Sequence, residues 1–559
     1  MIARASGIPL QARPRLLGDM FDETVKRHGT RAAIDFLGQR TSYNRLAVMV
    51  ERAAAGLQSL GVQHGTRVAL CLPNITHYPV LFLATLKAGG VVVNVNPLYV
   101  ERELETLLQD SGAHIIATVD LPDIQQRVAK VAQELGIRHL ITCAIAEALP
   151  FSKNLAYRLF KRREIARRSD RPGDLRYAEL MANGRPFVPV AGDPDDLAVL
   201  QYTGGTTGEP KGAMLSHANL VANADATLAH FGGEPAEPDR ALGVLPLFHV
   251  FALTTVLTSS IRAGSEMVLL PRFELDQVLR TLVSSRPTLF PAVPTIFGAI
   301  ATRAATEQID LSFVRACISG GAPLPSELRA DFVRLTGANL MEGYGLTEAS
   351  PIITCNPLDG TGKAGSAGIP FPGTTIEIRD PANPETILAT GENGEICARG
   401  PQVMKGYWNR PDATANVFVD GALRTGDLGH LDDDGYLFIV DRLKDVILCS
   451  GYNVYPRTIE EALYEHPAVR EAVVIGVADA YRGQAPKAFV TLRPNETVTP
   501  AELKDFLSDK LSKIEMPREI EIREELPKTL IGKLSKKELV EEERAKAVAA
   551  QVIAQQSAT

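Results

Sequence analysis

A glycine- and threonine-rich stretch before the middle of the chain limits what the protein can fold into and bind. An apolar run of strand character at 197–202 leads into Thr-Gly-Gly-Thr-Thr-Gly at 203–208, followed by Lys211 and Gly212. Glycines let the backbone turn several N–H groups toward one point, and threonine hydroxyls and a lysine add donors and positive charge. The stretch therefore predicts a loop that binds a polyphosphate, rather than a flexible linker.

The same stretch differs from the phosphate loop of kinases and ATPases. That motif places lysine directly after its second glycine, whereas Glu209 and Pro210 stand between Gly208 and Lys211. Pro210 also cannot continue into a helix interior, because proline lacks a backbone N–H and its ring clashes with the preceding turn. Another class of phosphate-binding fold is indicated.

Together with Pro-Lys-Gly-Ala-Met-Leu-Ser-His at 210–217, the stretch resembles the adenylate-forming superfamily of acyl-CoA synthetases, luciferases and peptide-synthetase adenylation domains. It is most similar to bacterial long-chain fatty-acid–CoA ligases. The resemblance implies a loop that holds the β- and γ-phosphates of ATP. Most relatives have serine at position 204, so binding here would depend more on backbone N–H groups. The residues assigned to this role are Thr203, Gly204, Gly205, Thr206, Thr207, Gly208 and Lys211.

Three further motifs resemble the rest of the superfamily's nucleotide site. Ser-Gly-Gly-Ala-Pro-Leu at 319–324 is similar to the turn that packs on adenine. Glu-Gly-Tyr-Gly-Leu-Thr-Glu at 342–348 implies a tyrosine near adenine, a threonine at the α-phosphate and a glutamate on magnesium. Leu-Arg-Thr-Gly-Asp at 423–427 resembles the ribose clamp, although relatives often have an aromatic residue at 423. The assigned residues are Gly320, Gly321, Ala322, Gly343, Tyr344, Gly345, Thr347, Glu348 and Asp427, with Thr203 and Glu348 as the metal contacts.

The C-terminal motifs imply a mobile domain. Asp-Arg-Leu-Lys-Asp at 441–445 resembles an interdomain hinge, in which Arg442 reaches the ribose or phosphate and Lys444 is the pivot. Gly451 is placed by the resemblance beside coenzyme A. Pro-Lys-Thr-Leu-Ile-Gly-Lys at 527–533 singles out Lys533, which would grip the carboxylate and the α-phosphate during adenylation.

His249 stands in the apolar sequence 245–253, which the resemblance places at the acyl-carboxylate site. Alternatively, a lone histidine in apolar surroundings is a hydrogen-bonded core residue.

The segment 243–261, which contains His249, has no Asp, Glu, Lys or Arg, and its length approaches that of a membrane span. Pro246 and several serines and threonines favour a buried helix after a turn.

Helical periodicity alternates with short apolar strands between residues 45 and 118, which is typical of a parallel sheet covered on both faces. The predicted fold class is α/β, with doubly wound sheets, a β-rich subdomain and a small α+β C-terminal domain. The predicted boundaries are 1–441 for the ATP- and acyl-binding domain (373–441 β-rich), 442–445 for the hinge, 446–545 for the mobile domain and 546–559 for a tail.

A dinucleotide-binding pattern, Gly-x-Gly-x-x-Gly, occurs at 360–365. That motif requires a preceding strand and a following helix, and the flanking sequences Asn-Pro-Leu-Asp and Ser-Ala-Gly-Ile-Pro predict neither. A Rossmann-type site is therefore rejected.

Length, net charge and cysteine content limit the class of protein and the partners that it can bind. A chain of 559 residues exceeds one ordinary core, and its net charge of -7 disfavours nucleic acid. Its six cysteines are scattered without a Cys-x-x-Cys, which indicates neither zinc nor a disulfide framework. The N-terminus lacks the apolar core of a signal peptide. We therefore expect a cytoplasmic protein. The sequence does not determine the oligomeric state, and a homodimer is one of the alternatives.

A basic segment at 153–168 carries seven lysines and arginines against one acid, Glu164. Charge runs favour a solvated helix face. The alternative is an interfacial helix that touches anionic lipid on the inner face of the membrane. The basic residues are Lys153, Arg158, Lys161, Arg162, Arg163, Arg167 and Arg168.

The resemblance covers roughly residues 24–539 and implies a fatty acid–CoA ligase that uses ATP, Mg²⁺ and coenzyme A. A carboxylate and ATP would give acyl-AMP and pyrophosphate, and coenzyme A would then give acyl-CoA and AMP. The apolar sequence 248–253 favours medium- to long-chain fatty acids. One alternative is an aryl- or short- to medium-chain-acid ligase. Another is a non-catalytic nucleotide- or acyl-binding homologue, which the joint presence of Lys533, Glu348 and Asp427 disfavours.

Overall fold

The computed structural model describes residues 4–6, 10, 13–167, 171–203, 210–479, 481–529 and 532–557. Within these residues the strands form four sheets. Two of them are mostly parallel, a third is antiparallel, and the fourth belongs to the C-terminal part of the chain. The predicted α/β fold class is confirmed.

The first parallel sheet contains the strand that leads into the predicted phosphate loop. Its strands are buried on both faces, with Val68 and Leu70 in one core and Ala69 and Cys71 in another. Such strands need no polar alternation, which explains their continuous apolar sequences. In spatial order the strands are Lys211–Ser216, Leu197–Thr203, Val91–Asn94, Arg67–Cys71, Ile115–Val119, His139–Cys143 and Leu175–Arg176.

The second parallel sheet carries the predicted adenine-binding motifs. Helix His77–Lys87 is buried along nearly its whole length, in a core that side chains of both parallel sheets share. In spatial order the strands are Ile369–Pro370, Ile352–Cys355, Leu340–Gly345, Ala316–Ser319, Leu289–Ala292, Arg240–Gly243, Glu266–Leu269, Ala32–Phe36 and Gln39–Ser42.

The helices of this part of the chain connect and cover the two sheets. The α-helices are Leu17–His28, Tyr43–Ser59, His77–Lys87, Glu101–Ser111, Pro122–Glu134, Ile145–Ala148, Phe151–Phe160, Tyr177–Met181, His217–His230, Val250–Ala252, Ser259–Ala263, Leu275–Ser285, Pro294–Ala304, Ser326–Thr336 and Pro411–Asn416. Short 3₁₀ turns occupy Arg162–Glu164, Thr347–Ala349 and Leu443–Asp445.

The uncharged segment that raised the question of a membrane span is buried protein core. It forms Val250–Ala252, a π-helical stretch Leu253–Thr258 and Ser259–Ala263, and Leu253, Thr254 and Thr258 are fully buried. No helix among the described residues is long and apolar enough to cross a membrane. The sequence at 360–365 lies in turns and leads to strand Ile369–Pro370 instead of a helix, in agreement with the rejection of a Rossmann-type site.

The antiparallel sheet follows the second parallel sheet along the chain. Its long strand Ala422–Leu431 carries the predicted ribose clamp, and Leu437–Arg442 pairs with it and ends at the predicted hinge. The strands are Arg4–Ser6, Thr375–Arg379, Gly394–Arg399, Ala422–Leu431, Phe418–Val419 and Leu437–Arg442.

The C-terminal part of the chain has a core of its own, to which Val474, Val490, Leu503 and Leu507 contribute. Its last helix begins at Lys536 and extends to Ser557, so the predicted start of a tail at residue 546 falls inside a helix. The strands are Tyr452–Val454, Ile447–Cys449, Gly483–Leu492, Val469–Asp479 and Glu519–Ile522, and the helices are Pro456–Tyr464, Pro500–Ser508 and Lys536–Ser557.

Candidate active site

Several predicted site residues meet at the carboxyl ends of parallel strands. Strand Leu197–Thr203 ends at the predicted phosphate loop, and Ala316–Ser319 ends at the predicted adenine turn. Strand Leu340–Gly345 includes Gly343, Tyr344 and Gly345 and continues to Thr347. In open α/β sheets this edge is where ligands bind. The predicted phosphate loop lies at that edge of the first parallel sheet, and the predicted adenine motifs lie at that edge of the second.

The predicted phosphate loop joins two antiparallel strands. Thr203 and Lys211 are register partners, and the Thr203 hydroxyl donates to the Lys211 carbonyl at 3.5 Å. The two ends of the loop are therefore held together by the sheet, with Lys211 at its exit. Gly204, Gly205, Thr206, Thr207 and Gly208 lie outside the described residues.

Tyr407 links the predicted phosphate lysine to the predicted metal ligand. Its hydroxyl donates to Glu348 Oε1 at 2.6 Å, and Lys211 Nζ lies 5.3 Å from the centre of its ring. The segment around it adds backbone bonds, from Met404 N–H to the Glu348 carbonyl and from Trp408 N–H to the Gly212 carbonyl. Sequence reasoning missed Tyr407, since its 59-residue separation from Glu348 gives no local signal.

The donors near Glu348 suit a hard divalent cation. Magnesium prefers carboxylate and phosphate oxygens and keeps several waters, so one glutamate and a nucleotide's phosphates suffice. Glu348 is half-buried, and its Oε1 is oriented by the Tyr407 hydroxyl. The described residues contain no group of three or more His, Cys, Asp or Glu side chains that could hold a metal. The residues present thus fit a metal that arrives with a nucleotide.

The predicted ribose aspartate is oriented by the predicted adenine tyrosine. Tyr344 donates its hydroxyl hydrogen to Asp427 Oδ2 at 2.6 Å, and Arg442 Nε lies 3.5 Å from Asp427 Oδ1. Burial raises the pKa of Asp427, while Arg442 and the Tyr344 hydrogen bond oppose that rise. Burial also raises the pKa of Tyr344, with the Asp427 charge adding to the effect, so the tyrosine is a hydrogen-bond donor at neutral pH.

Lys533 reaches this cluster from the C-terminal part of the chain. A methyl group added at Gly321, where φ is +82°, would lie 2.5 Å from Lys533 Cε and 2.9 Å from its Nζ. Burial lowers the pKa of Lys533 to about 8, Arg442 adds to that effect and Asp427 opposes it. The lysine side chain therefore lies directly on the predicted adenine turn, near Asp427 and Arg442. Gly320 and Ala322 flank Gly321, and Gly320 lies beside Phe251.

His249 is a neutral imidazole near Lys533. It precedes helix Val250–Ala252, and its Nδ1 accepts a hydrogen bond from Phe251 N–H at 3.3 Å. Burial lowers its pKa to about 3, and the charge of Lys533 adds to the effect. Because Nδ1 is the acceptor, the proton of the neutral ring resides on Nε2. His249 can therefore donate one hydrogen bond but carries no charge at neutral pH.

The remaining predicted residues lie at or beyond the edge of this cluster. Thr347 begins the 3₁₀ turn that contains Glu348. Lys444 is exposed in the 3₁₀ turn Leu443–Asp445, directly after Arg442. Gly451 is exposed in the turn between Ile447–Cys449 and Tyr452–Val454, with φ +83° and no atom within 4 Å of an added methyl group. The structure thus brings Lys533 to the nucleotide motifs and leaves Gly451 facing open space.

Comparisons with known proteins identify relatives that match nearly the whole chain. Residues 21–408 match the family model of AMP-binding enzymes, and residues 458–533 match that of the AMP-binding enzyme C-terminal domain. A long-chain-fatty-acid–CoA ligase of Bacillus subtilis (strain 168) is 40% identical over 95% of each chain. A feruloyl-CoA synthase of Amycolatopsis sp. is 35% identical over 92% of this chain and 95% of its own. The crystal structure of ATP-bound MatB from Rhodopseudomonas palustris has a TM-score of 0.82 and 31% identity, and the match covers 94% of this chain and 98% of that one.

Proposed function

Because this chain belongs to the family of AMP-binding enzymes, we propose that it is an ATP-dependent fatty acid–CoA ligase. A carboxylate and ATP give acyl-AMP and pyrophosphate, and coenzyme A then gives acyl-CoA and AMP. The observation that carries the proposal is the position of Lys533 on Gly321, near Asp427 and Arg442. We propose that this ammonium group lies where a nucleotide's α-phosphate and an acyl carboxylate approach each other.

The first half-reaction activates a poor electrophile. A carboxylate oxygen attacks the α-phosphorus, the bond to the β-phosphate oxygen breaks, and pyrophosphate leaves. Both reactants are anions, so preorganised positive charge contributes most where they meet. Lys533 supplies that charge, Asp427 holds the ribose, and the loop from Thr203 to Lys211 retains the departing phosphates. When bound, Mg²⁺ at Glu348 neutralises phosphate charge, as it does in phosphoryl-transfer enzymes generally.

The second half-reaction transfers the acyl group. The sulfur of coenzyme A attacks the acyl carbonyl, the thiol gives up its proton, and AMP leaves as a stable phosphate monoester. No residue of the chain becomes acylated. We propose the hinge at 442–445 between a domain ending at 441 and a mobile one beginning at 446, with Lys444 as the pivot and Gly451 beside coenzyme A.

The acyl group is a medium- to long-chain fatty acid. The long-chain ligase of B. subtilis is 40% identical to this chain, and Leu247, Val250 and Leu253, which lie close to His249 in the sequence, are buried apolar residues. The proton on His249 Nε2 is available to a carboxylate oxygen. The 35% identity to a feruloyl-CoA synthase keeps an aryl acid as the second candidate.

Pyrophosphate release measured over acids from C4 to C18 and over cinnamates tests this function. Each buried methylene contributes about 0.8 kcal/mol, so kcat/KM is expected to rise by about fourfold per methylene up to the length that the site holds. Preference for cinnamates would identify the aryl-acid ligase. Absence of ATP-dependent pyrophosphate release with every acid would identify a non-catalytic homologue and contradict the proposal.

For the basic segment we propose peripheral contact with an anionic membrane. Helix Phe151–Phe160 has no buried residue, and Phe151 and Phe160 are 87% and 84% exposed. Leu155 and Leu159 lie at helical spacing from Phe151 and are also exposed. Among the described residues of this segment, Lys161–Glu164 is the one ion pair, whereas Arg162, Arg163 and Arg167 are exposed. The arginines follow the helix, in the 3₁₀ turn Arg162–Glu164 and at position 167, so exposed apolar residues and cations are adjacent in the chain. Such a combination favours contact with an anionic lipid surface. Arg168 lies outside the described residues.

Neutralising three arginines is expected to weaken binding to phosphatidylglycerol-containing vesicles by at least about tenfold, since each contributes about 1 kcal/mol before screening. The variant is Arg162→Gln, Arg163→Gln and Arg167→Gln. A flotation assay measures binding, and turnover of a water-soluble acid should be unchanged. The charge-matched control is Arg272→Gln, Arg303→Gln and Arg334→Gln, which removes arginines paired with carboxylates elsewhere. Equal flotation of parent, variant and control would contradict membrane contact.

A further inference from the structure

Lys533 lies on a turn that its own hydrogen bonds close. Thr529 N–H donates to the Lys533 carbonyl at 2.6 Å, and Gly532 N–H donates to the Thr529 carbonyl at 2.8 Å. Lys533 N–H donates in return to the Thr529 hydroxyl oxygen at 3.1 Å. These bonds tie Thr529, Gly532 and Lys533 to one another, so a contact that fixes Gly532 also restrains the start of the lysine side chain.

One such contact comes from the N-terminal part of the chain. The Thr295 hydroxyl donates to the Gly532 carbonyl at 2.8 Å. Thr295 lies in the first turn of helix Pro294–Ala304, directly after strand Leu289–Ala292. The residue is half-buried, and its β-branched side chain has few χ1 rotamers. A rigid element thus presents a hydroxyl to the carbonyl of the residue that precedes Lys533.

Other polar contacts between the two parts of the chain do not involve the lysine turn. Arg457 Nη1 donates to the Ile439 carbonyl at 2.7 Å, and Arg457 N–H donates to Asp441 Oδ2 at 2.8 Å. Arg493 Nη1 lies 3.4 Å from Asp331 Oδ2, with the two side chains 43% and 27% exposed. An ion pair with this exposure is screened by solvent and contributes little. Neither residue belongs to the lysine turn, so this ion pair does not fix the start of the lysine side chain.

We infer that Thr295 is a positioning residue for adenylation: its hydroxyl docks the turn that carries Lys533 and so directs the lysine to the nucleotide site. The inference rests on the proposed function, because it concerns the first of that function's two half-reactions. When the second half-reaction requires Lys533 to withdraw, the bond to Gly532 is broken. Thr295 therefore contributes to one half-reaction and is idle in the other.

Thr295→Val keeps the shape of the side chain and removes the donor. We expect adenylation in a single turnover to slow by about 3- to 10-fold, the effect of one neutral hydrogen bond, with thioester formation from supplied acyl-adenylate unchanged. Thr295→Ser retains the hydroxyl and should restore most of the lost rate. The matched control is Thr302→Val on the same helix, whose hydroxyl donates within the helix to the Gly298 carbonyl at 2.9 Å; neither half-reaction should change.

Chemical labelling measures the pKa of Lys533 without requiring enzyme turnover. Burial lowers the pKa of the docked lysine to about 8, with Arg442 adding to the effect and Asp427 opposing it, while the neighbouring His249 is neutral. The pH dependence of Lys533 labelling by an amine-reactive reagent, followed by mass spectrometry, reports that pKa. In Thr295→Val the pKa should rise toward that of an ordinary lysine, whereas in Thr302→Val it should stay.

Equal loss of both half-reactions, failure of Thr295→Ser to restore adenylation, or unchanged labelling and adenylation in Thr295→Val would each overturn the inference. Melting temperatures of all variants identify a folding defect. If the proposed function is wrong, the parent protein itself forms no acyl-CoA, and this result differs from every outcome that would overturn the role of Thr295. The labelling experiment measures the docking of Lys533 in that case as well.

Discussion

Replacing Lys533 by alanine is expected to reduce ATP-dependent acyl-adenylate formation by about 100-fold or more, the loss seen when one preorganised donor is removed from a site of developing charge. The lysine lies on Gly321 near Asp427 and Arg442, where the α-phosphate and the carboxylate would meet. Thioester formation from synthetic acyl-adenylate should persist, because no phosphate bond is formed in that step. Rapid-quench measurement of each half-reaction separates the two effects.

Lys528→Ala is the matched control, since Lys528 lies in the same segment 527–533 but pairs with Glu471 at 2.7 Å and is 40% exposed. The adenylation rate of Lys528→Ala should stay near that of the parent.

The pH dependence of adenylation is a second test of the role of Lys533. Because burial lowers the pKa of Lys533 to about 8, its charge is present below that pH and is lost as the pH rises through it. For the free enzyme, kcat/KM for adenylation should therefore fall above about pH 8. Adenylation within a few-fold of the parent in Lys533→Ala would show that another group supplies the charge.

Much of the fold could be predicted from local patterns. The parallel strands are buried on both faces, so their sequences are continuous apolar runs between helices of clear periodicity. Helix Tyr43–Ser59 and strand Arg67–Cys71 begin the alternation of helices and strands that the sequence predicts between residues 45 and 118. The alanine- and glutamate-rich sequence near the C-terminus has high helix propensity, and the last helix extends from Lys536 to Ser557.

The contacts that orient the site could not be predicted in this way. Tyr344, Asp427 and Lys533 were assigned by the resemblance of their motifs, and the structure brings them together without establishing their roles. Tyr407 and Thr295 belong to no motif that was recognised. Each contacts a residue far away in sequence, Glu348 and Gly532 respectively, and such a pair is visible only once the sheets and the two parts of the chain are assembled. Local periodicity carries no information about it.

Gly451→Trp is expected to block thioester formation while leaving adenylation in a first turnover almost unchanged. In this structure Lys533 lies on Gly321 of the predicted adenine turn, whereas Gly451 faces open space, with no atom within 4 Å of an added methyl group. A tryptophan is therefore accommodated during adenylation. If the C-terminal domain rotates about Lys444 to bring Gly451 to the acyl-adenylate, the indole fills the space that the narrow pantetheine arm of coenzyme A needs, because glycine permits the closest approach to the backbone.

Backbone strain is the competing explanation, and a second glycine controls for it. Gly451 has φ +83°, which a residue with a side chain adopts at a cost of about 1–2 kcal/mol. Gly391 has φ +86° and equally open surroundings, so Gly391→Trp should lower stability to a similar extent and spare both half-reactions. Lys444→Pro, which fixes φ at the pivot, should retain adenylation and lose thioester formation, since the present arrangement is the one in which Lys533 is engaged. Parallel loss of both half-reactions in Gly451→Trp, at the melting temperature of Gly391→Trp, would exclude rotation about Lys444 as the device that lets one site serve two reactions.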